Sequence, residues 1–171
     1  TAVGYHSLLS NTTGTRNTAV GYAALDANTT GNDNTAVGLA ALGANTTAVF
    51  NTAVGKNALL LNTSGGYNSA FGAEALDGNT TGTENTAVGY QSLSASMTGS
   101  SNTGVGNYAL ATVTTGDSNT ALGRNAGDGI TTGSQNVAIG RHALSSNSAA
   151  NDNVAIGFYA LKVNTTGLQN V

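Results

Sequence analysis

Hydrophobic and polar positions follow one fixed period along the whole chain. Asn recurs at every seventeenth residue from 17 to 170 without an insertion or deletion. With that Asn as repeat position 1, the consensus reads N-T-A-V-G-Y-x-A-L-x-x-N-T-T-G-x-x. Position 4 is always apolar, position 5 is always Gly, and position 9 is Leu except at Gly127. Such a strict period is typical of stacked coils, in which an insertion would break the ladder between neighbouring turns.

Each repeat is predicted to form one turn, here called a rung, of a parallel β-solenoid. The segment T-A-V-G-Y-x-A-L is the best strand candidate, and N-T-T-G is the best turn candidate. Helical repeats are disfavoured because each unit contains Gly together with β-branched Thr and Val, which are poor helix formers. We therefore expect an all-β parallel solenoid of ten rungs, forming a single repeat array over residues 1–171. At a strand spacing of about 4.8 Å the rod would be about 48 Å long.

The distribution of side chains over the repeat predicts an inside and an outside. All charged residues, only 8% of the chain, fall at positions 6, 7, 10, 16 and 17, so these positions are expected to face water. The large apolar side chains at positions 4 and 9 are expected to fill a thin interior. Ala at position 3 and Gly at position 5 would form a small-residue face for a second chain, which predicts an oligomer. The Asn at position 1 is predicted to be structural, because stacked amides form hydrogen-bonded ladders.

Composition excludes several classes of protein. The chain has 24 Gly, 26 Thr and 22 Asn but no Cys, so disulfides and thiolate metal sites are absent. A net charge of −3 argues against nucleic-acid binding, which requires a basic face. The longest apolar runs are short, such as 58–61, and predict no membrane-spanning segment. Because the chain does not begin with Met, we expect a fragment of a longer protein or a processed product.

No catalytic, cofactor or metal constellation is visible in the repeat. His6 and His142 share position 7 but lie eight rungs apart. Asp26, Asp77 and Asp128 share position 10 but lie three rungs apart, about 14 Å at the strand spacing. Fragments of the form G-x-G precede no predicted helix, so they do not indicate a dinucleotide loop. The sequence predicts a protein that is not an enzyme and has no cofactor.

Aromatic residues are the candidate surface residues. Eight of the nine lie at charge-bearing positions and are expected to be exposed, whereas Phe71 is assigned to the interior at position 4. They either cover seams between chains of an oligomer or bind a ligand, since exposed aromatic rings stack on sugars and anchor protein contacts. The candidates are Tyr5, Tyr22, Tyr90, Tyr108, Phe158 and Tyr159.

Six N-x-T/S sequences occur at position 12. In a eukaryotic secretory pathway they would be glycosylation acceptors. The favoured interpretation is turn chemistry copied by duplication. The Asn residues are Asn11, Asn28, Asn45, Asn62, Asn79 and Asn164.

The motif N-T-A-V-G-x-x-A-L resembles the head repeats of YadA-like trimeric autotransporter adhesins. The longer form with N-T-T-G is similar to repeats in bacteriophage-type tail fibres. The resemblance covers the whole chain. It implies a left-handed β-roll in which three chains surround one axis, and an extracellular location on a cell surface or virion. The adhesin head repeat is usually shorter than the repeat of this chain, so adhesin binding sites are not transferred to it.

The leading functional hypothesis is a non-enzymatic, homotrimeric fibre segment that displays a multivalent surface for cell or host attachment. Its partners would be itself and a surface glycan or matrix protein. One alternative is an ice-binding solenoid with a Thr ladder at position 13 and its position-14 neighbours. Another is a subunit of an extracellular filament that grows end to end. The ladder at position 13 begins Thr12, Thr29, Thr46, Thr63 and Thr80.

Overall fold

The structure, a computed structural model, describes residues 1–171. Every rung contributes one short strand at positions 2 to 4, and ten such strands form one parallel sheet in chain order. Each strand pairs with the next at an offset of one repeat, as in Thr35↔Thr52 and Ala36↔Ala53. The predicted all-β parallel solenoid is therefore confirmed. The strands are β1 Ala2–Val3, β2 Thr18–Val20, β3 Thr35–Val37, β4 Thr52–Val54, β5 Ser69–Phe71, β6 Thr86–Val88, β7 Thr103–Val105, β8 Thr120–Leu122, β9 Val137–Ile139 and β10 Val154–Ile156.

The strand is shorter than the sequence predicted, because it ends before the Gly at position 5. Gly55 has a φ of 140°, a conformation that side chains disfavour. A Cβ atom on Gly55 would lie 2.6 Å from the carbonyl carbon of Gly72 in the next rung, and closer still to its oxygen. The glycine column therefore permits both the change of chain direction and the close stacking of rungs.

Three further corners of each rung use left-handed backbone. Positions 7, 9 and 17 carry positive φ angles throughout, for example 58° at Asn57, 52° at Leu59 and 61° at Tyr67. This conformation costs an ordinary residue about 1–2 kcal/mol. The neighbouring rungs hold it in place by hydrogen bonds between rungs. The Leu25 N–H donates to the Ala41 carbonyl at 3.0 Å, and the Asn57 N–H donates to the Leu39 carbonyl at 2.8 Å.

The interior is built from small residues, one Leu column and two Asn columns. The Ala residues at positions 3 and 8 and the Leu residues at position 9 form one continuous core, in which Ala53, Ala58 and Leu59 are fully buried. No charged residue is fully buried and most are exposed, which confirms the outward placement at positions 6, 16 and 17. At position 10, Asp77 and Asp128 are only half-buried, but one carboxylate oxygen of each is shielded from water and has no hydrogen-bond partner.

Position 4 faces outward, so its predicted place in the core is wrong. Phe71, assigned to the interior, is 43% exposed. Side chains alternate along a strand, and because Asn51 and Ala53 point inward, Thr52 and Val54 point outward. The predicted contact face of Ala and Gly for a second chain is also wrong. The Ala at position 3 is buried, and the Gly at position 5 packs on the same position of the next rung.

Both Asn columns connect one rung to the next. At position 1, the Asn34 backbone N–H donates to Asn17 Oδ1 at 3.0 Å, and Asn34 Nδ2 donates to the Ala48 carbonyl at 2.8 Å. At position 12, Asn45 Nδ2 donates to Asn28 Oδ1 at 2.8 Å. Stacked amides of this kind satisfy buried polar groups along a ladder. The position-1 column runs through the whole rod, whereas the position-12 column is interrupted for three rungs after Asn79, and Asn79 Oδ1 and Asn147 Nδ2 on either side of the gap have no hydrogen-bond partner. The structural interpretation of the position-1 Asn is confirmed.

Departures from the consensus are compensated inside the same rung or the next. Ser92 replaces Ala at position 8, and its Oγ donates to the carbonyl of Gly104, which replaces Ala at position 3. Gly127 replaces the core Leu, and the Ile130 Cδ1 atom approaches within 3.2 Å of the site of its absent Cβ. Met97 is buried and pairs with Asn79, a one-residue shift from the regular register.

Candidate interaction surface

The outward face of the sheet carries an uninterrupted apolar column at repeat position 4. Exposure reaches 56% at Val3, 50% at Leu122 and 68% at Ile156, and the other members are half-buried or exposed. Large apolar side chains in one continuous line on a surface mark an interaction site more often than scattered ones do. This apolar column consists of Val3, Val20, Val37, Val54, Phe71, Val88, Val105, Leu122, Ile139 and Ile156.

A second outward column, at position 2, runs beside the apolar column. It carries Thr or Ser in the first eight rungs and then Val137 and Val154. Most of these side chains are half-buried. The exposed sheet face is therefore two side chains wide, one hydroxyl-bearing and one apolar.

Two corners of the rung border this face. We call the corner at position 6, directly after the strand, the position-6 edge. The corner at positions 16 and 17, directly before the next strand, is called the position-17 edge. The only charged side chains at position 6 are cations, Lys56, Arg124 and Arg141, all exposed, and the other seven rungs carry uncharged residues there. The position-17 edge is mainly acidic, with exposed Glu84, Asp117 and Asp152. The sheet face thus lies between edges of opposite charge.

One ion pair lies within the position-17 edge. The Arg16 Nε donates to Asp33 Oδ1 at 2.5 Å, and Arg16 Nη2 donates to Asp33 Oδ2 at 2.8 Å. The hydrogen bond from Arg16 lowers the pKa of the Asp33 carboxyl. The opposite charges of Arg16 and Asp33 cancel within this pair. The six other charged side chains of the two edges form no salt bridge within the chain.

The candidate aromatic residues form three close pairs, two between neighbouring rungs and one within a single rung. Tyr5 stacks on Tyr22 at 5.6 Å between ring centroids. Tyr90 meets the edge of Tyr108 at 5.5 Å, and Phe158 lies 4.1 Å from Tyr159. Tyr108 is half-buried, whereas the other five candidates are exposed. Phe50 and Tyr67, on the position-17 edge, stack at 5.1 Å. The clusters lie along the corners of the rod and not around a common centre.

The titratable side chains lie dispersed along the rod. His6 stacks on Tyr5 at 4.0 Å and His142 on Tyr159 at 5.2 Å, at opposite ends of the array. Burial raises the pKa of the Asp77 carboxyl, with a further contribution from the charge of Glu74. Burial likewise raises the pKa of Asp128 against a hydrogen bond from Asn125. The structure contains no cavity and no group of three metal-binding side chains.

The N-x-T/S asparagines lie mostly inside the rungs. Asn28, Asn45, Asn62 and Asn79 are fully buried in the position-12 amide column, so the folded rungs leave no room for a glycan on them. Their Nδ2 groups also donate to the carbonyl at position 15, as from Asn62 to Gly65 at 2.9 Å. Turn chemistry explains the motif.

The Thr ladder at position 13 is engaged within the chain. The Thr12 hydroxyl donates to the Thr29 carbonyl at 2.9 Å, and the same bond recurs from Thr63 to Thr80 at 3.1 Å. Met97 interrupts the ladder by turning into the interior. The position-13 ladder is therefore less free to organise water than the sequence suggested.

Sequence reasoning missed the apolar column, although a signal for it was present. Position 3 is always Ala or Gly, whereas position 4 varies among Val, Phe, Leu and Ile. A core packed to uniform width does not tolerate such variation in volume. The constant small residue marks the inside, and the variable apolar residue marks the outside.

Comparisons with models of protein families, with curated proteins and with solved structures found no match. The chain contains no helix with the length and hydropathy needed to span a membrane.

Proposed function

We propose that this chain is a non-enzymatic structural and adhesive fibre segment. It self-associates as a homotrimer through the apolar column and displays its corners as a multivalent surface. The observation that carries the proposal is the column itself, which leaves Phe71 at 43% and Leu122 at 50% exposure on one flat face. Covering such a face against identical columns removes apolar area from water at about 25 cal/mol per Å².

Three features support a display role. Every rung repeats the same backbone corners, so side chains are displayed at regular heights along the rod, and each further copy in the oligomer multiplies a weak contact. The rungs are joined by hydrogen bonds on all sides, which gives a stiff support. The resemblance of N-T-A-V-G-x-x-A-L to adhesin head repeats and phage-type tail fibres favours three copies and an extracellular position on a cell surface or virion. A surface glycan or matrix protein is the partner that exposed aromatic residues fit.

The association test replaces two members of the apolar column by Lys. In Val54→Lys/Val105→Lys the charges cannot be buried, so the variant is expected to sediment as a folded monomer while the wild type sediments as a trimer. Thr47→Lys/Thr115→Lys adds the same charge at exposed position 14 and is expected to remain trimeric. A monomeric wild type, or equal behaviour of the two variants, contradicts the proposal.

The display test replaces Tyr5, Tyr22 and Tyr90 by Ser. If these rings bind a ligand, the variant stays trimeric but loses adhesion to cells or immobilised glycans. If they cover a seam between copies, the trimer itself is destabilised. An unchanged trimer with unchanged adhesion would remove these residues from the functional surface.

Ice binding is the second candidate, now on a different face. The position-2 column places Thr18, Thr35 and Thr52 beside Val20, Val37 and Val54 on the flat sheet face, one pair per rung. A regular array of hydroxyl and methyl groups at about 4.8 Å spacing is a surface on which water can order. This candidate requires a monomer whose face stays uncovered. Thermal hysteresis of a monomeric wild type would favour it, and zero hysteresis removes it.

A further inference from the structure

Opposite charges lie on the two corners that border the sheet face. Lys56, Arg124 and Arg141 occupy the position-6 edge, and Glu84, Asp117 and Asp152 occupy the position-17 edge. All six are exposed and none forms a salt bridge within the chain. Charges arranged this way favour one relative orientation of two surfaces over others.

The geometry of association decides which edges meet. When two copies cover their sheet faces with both chains running the same way, rotation about the long axis brings the position-6 edge of one copy beside the position-17 edge of the next. When one copy is inverted end to end, like edges meet. Parallel association therefore joins a cationic edge to an acidic edge, whereas inverted association joins cations to cations.

The pairing also has a register. Height along the rod rises by about 4.8 Å with every repeat, so residues with similar numbers lie at similar heights. Arg124 is seven positions from Asp117 in the sequence, and Arg141 is eleven positions from Asp152, so each pair falls within one rung when the copies are level. A closed ring of identical copies requires this zero offset, because any other offset accumulates from copy to copy.

Lys56 has an aromatic counterpart at its own height. Phe50 and Tyr67, six positions before it and eleven after it, are 51% and 59% exposed on the position-17 edge. Their stacked rings offer a π surface that attracts an ammonium group.

We infer that copies of this chain associate in parallel and level with one another, with the position-6 edge of each copy against the position-17 edge of the next. Arg124 pairs with Asp117, Arg141 pairs with Asp152, and Lys56 lies over Phe50 and Tyr67. The charged and aromatic side chains of the two edges determine the relative direction and height of neighbouring copies. The apolar column provides most of the surface that is buried between them. This inference rests on the self-association proposed above.

Charge reversal tests the pairs. Arg141→Glu alone and Asp152→Arg alone each place like charges at every seam, and each is expected to raise the dissociation constant about tenfold at low salt. The double variant Arg141→Glu/Asp152→Arg restores opposite charges and is expected to recover wild-type association. Thr47→Glu/Thr115→Glu makes the same change in net charge as Arg141→Glu at exposed position 14, and is expected to have no effect. Failure of the double variant to recover association overturns the pairing.

Cysteine cross-linking tests the register, because the chain has no native Cys. Asn107 lies on the position-6 edge, and Ser101 and Ser118 lie on the position-17 edge at neighbouring heights. Within one chain these edges are separated by the strand, about 15 to 20 Å, too far for a disulfide. Asn107→Cys/Ser101→Cys and Asn107→Cys/Ser118→Cys are expected to form covalent oligomers under oxidation. Asn107→Cys/Gln135→Cys, more than one rung out of level, is expected to stay uncrosslinked.

Failures of the two proposals can be told apart. A wild type that sediments as a monomer overturns the proposed self-association and this inference together. Cross-linking of Asn107→Cys to itself in an oligomeric protein overturns this inference alone, because it shows that like edges meet. Cross-linking through Gln135 in preference to Ser101 and Ser118 overturns the level register.

Discussion

At the scale of single residues, the rod depends on backbone conformations that ordinary side chains disfavour. Each rung passes through left-handed φ at positions 7, 9 and 17 and through the glycine at position 5. The two kinds of position differ in the space that is available for a Cβ atom. Positions 7, 9 and 17 accept Leu, Tyr or Asp, since there is space for a Cβ atom. Position 5 admits only Gly, because the next rung fills that space.

Replacing a position-5 glycine is expected to be strongly destabilising. In Gly55→Ala the new Cβ would lie 2.6 Å from the Gly72 carbonyl carbon, and the residue would hold a φ of 140°. Both effects together should lower the free energy of unfolding by at least about 3 kcal/mol.

The control for this change is Gly43→Ala. Position 10 carries Asp or Leu in other rungs, and Gly43 does not adopt a positive φ. Its change in unfolding free energy is expected to stay within about 1 kcal/mol. Denaturant titration of both variants measures the difference, and equal losses would contradict the role assigned to the position-5 column.

The Asp77 carboxyl predicts a pH dependence of stability. Burial raises its pKa in the folded state, so the folded chain binds this proton more tightly than the unfolded chain does. Stability from this group is therefore greatest at acidic pH and falls as pH rises above its ordinary value near 4. Asp77→Asn removes the half-buried charge and is expected to be more stable than the wild type at pH 7.

Unfolding measured between about pH 3 and pH 7 checks this expectation. The difference between Asp77→Asn and the wild type should shrink toward the acidic end, where the wild-type carboxyl is protonated. A difference that is constant with pH would show that the charge of Asp77 is not its cause.

At the scale of the element, the rung is a thin layer in which each inward side chain contacts its counterpart across the interior. The strand supplies only a small side chain at position 3, and the opposite wall supplies Ala at position 8 and Leu at position 9. A change in one wall is therefore matched in the other, as Ser92 with Gly104 shows. The two walls behave as one packing unit.

A double-mutant cycle tests this coupling. A Cβ on Gly104 would lie 2.6 Å from Ser92 Oγ, so Gly104→Ala alone is expected to cost about 1–3 kcal/mol. Ser92→Ala removes the obstacle, and Ser92→Ala/Gly104→Ala restores the consensus pair. In that background the Gly104→Ala change is expected to be neutral or stabilising, because Gly weakens a strand. A coupling energy near zero would contradict the packing described here.

The element scale also shows where sequence reasoning succeeded and failed. The period, the parallel pairing and the structural role of Asn at position 1 followed from the spacing of Asn and Gly, because a ladder requires constant register. The side of the sheet occupied by Val54 did not follow, because apolar character alone does not decide burial. Alternation from the inward Asn51 decides it in the folded rung, and in the sequence only the variation in volume at position 4 indicates it.

At the scale of the whole molecule, the rod is a one-dimensional stack. Each rung contacts only the rungs before and after it, as the strand order β1 to β10 shows. Stability in such arrays is approximately a sum over rungs and the interfaces between them. The proposed interface with other copies lies along the rod, so every rung contributes one apolar side chain of position 4 to it.

Deletions of one rung and of nearly one rung should therefore behave differently. Removing 51–67 deletes one complete repeat and brings Asn68 into the place of Asn51, so every ladder stays in register. This variant is expected to fold with somewhat reduced stability. Removing 51–66 leaves one residue too many, so the variant is expected to lose cooperative folding of the array. Circular dichroism and thermal unfolding distinguish the two, and equal stability of both deletions would contradict a strict ladder.

The sequence by itself determined the repeat, the rod and the outward placement of charge. A strict period forces identical pairing at every rung, and a buried charge without a partner is too costly to tolerate. The candidate aromatic residues were predicted to be exposed because they occupy the same repeat positions as the charged residues. Only the tertiary structure decided which apolar residues are buried. A rung wide enough for one Leu column has no room for a second large column, so the position-4 side chains lie outside and give the rod its apolar face.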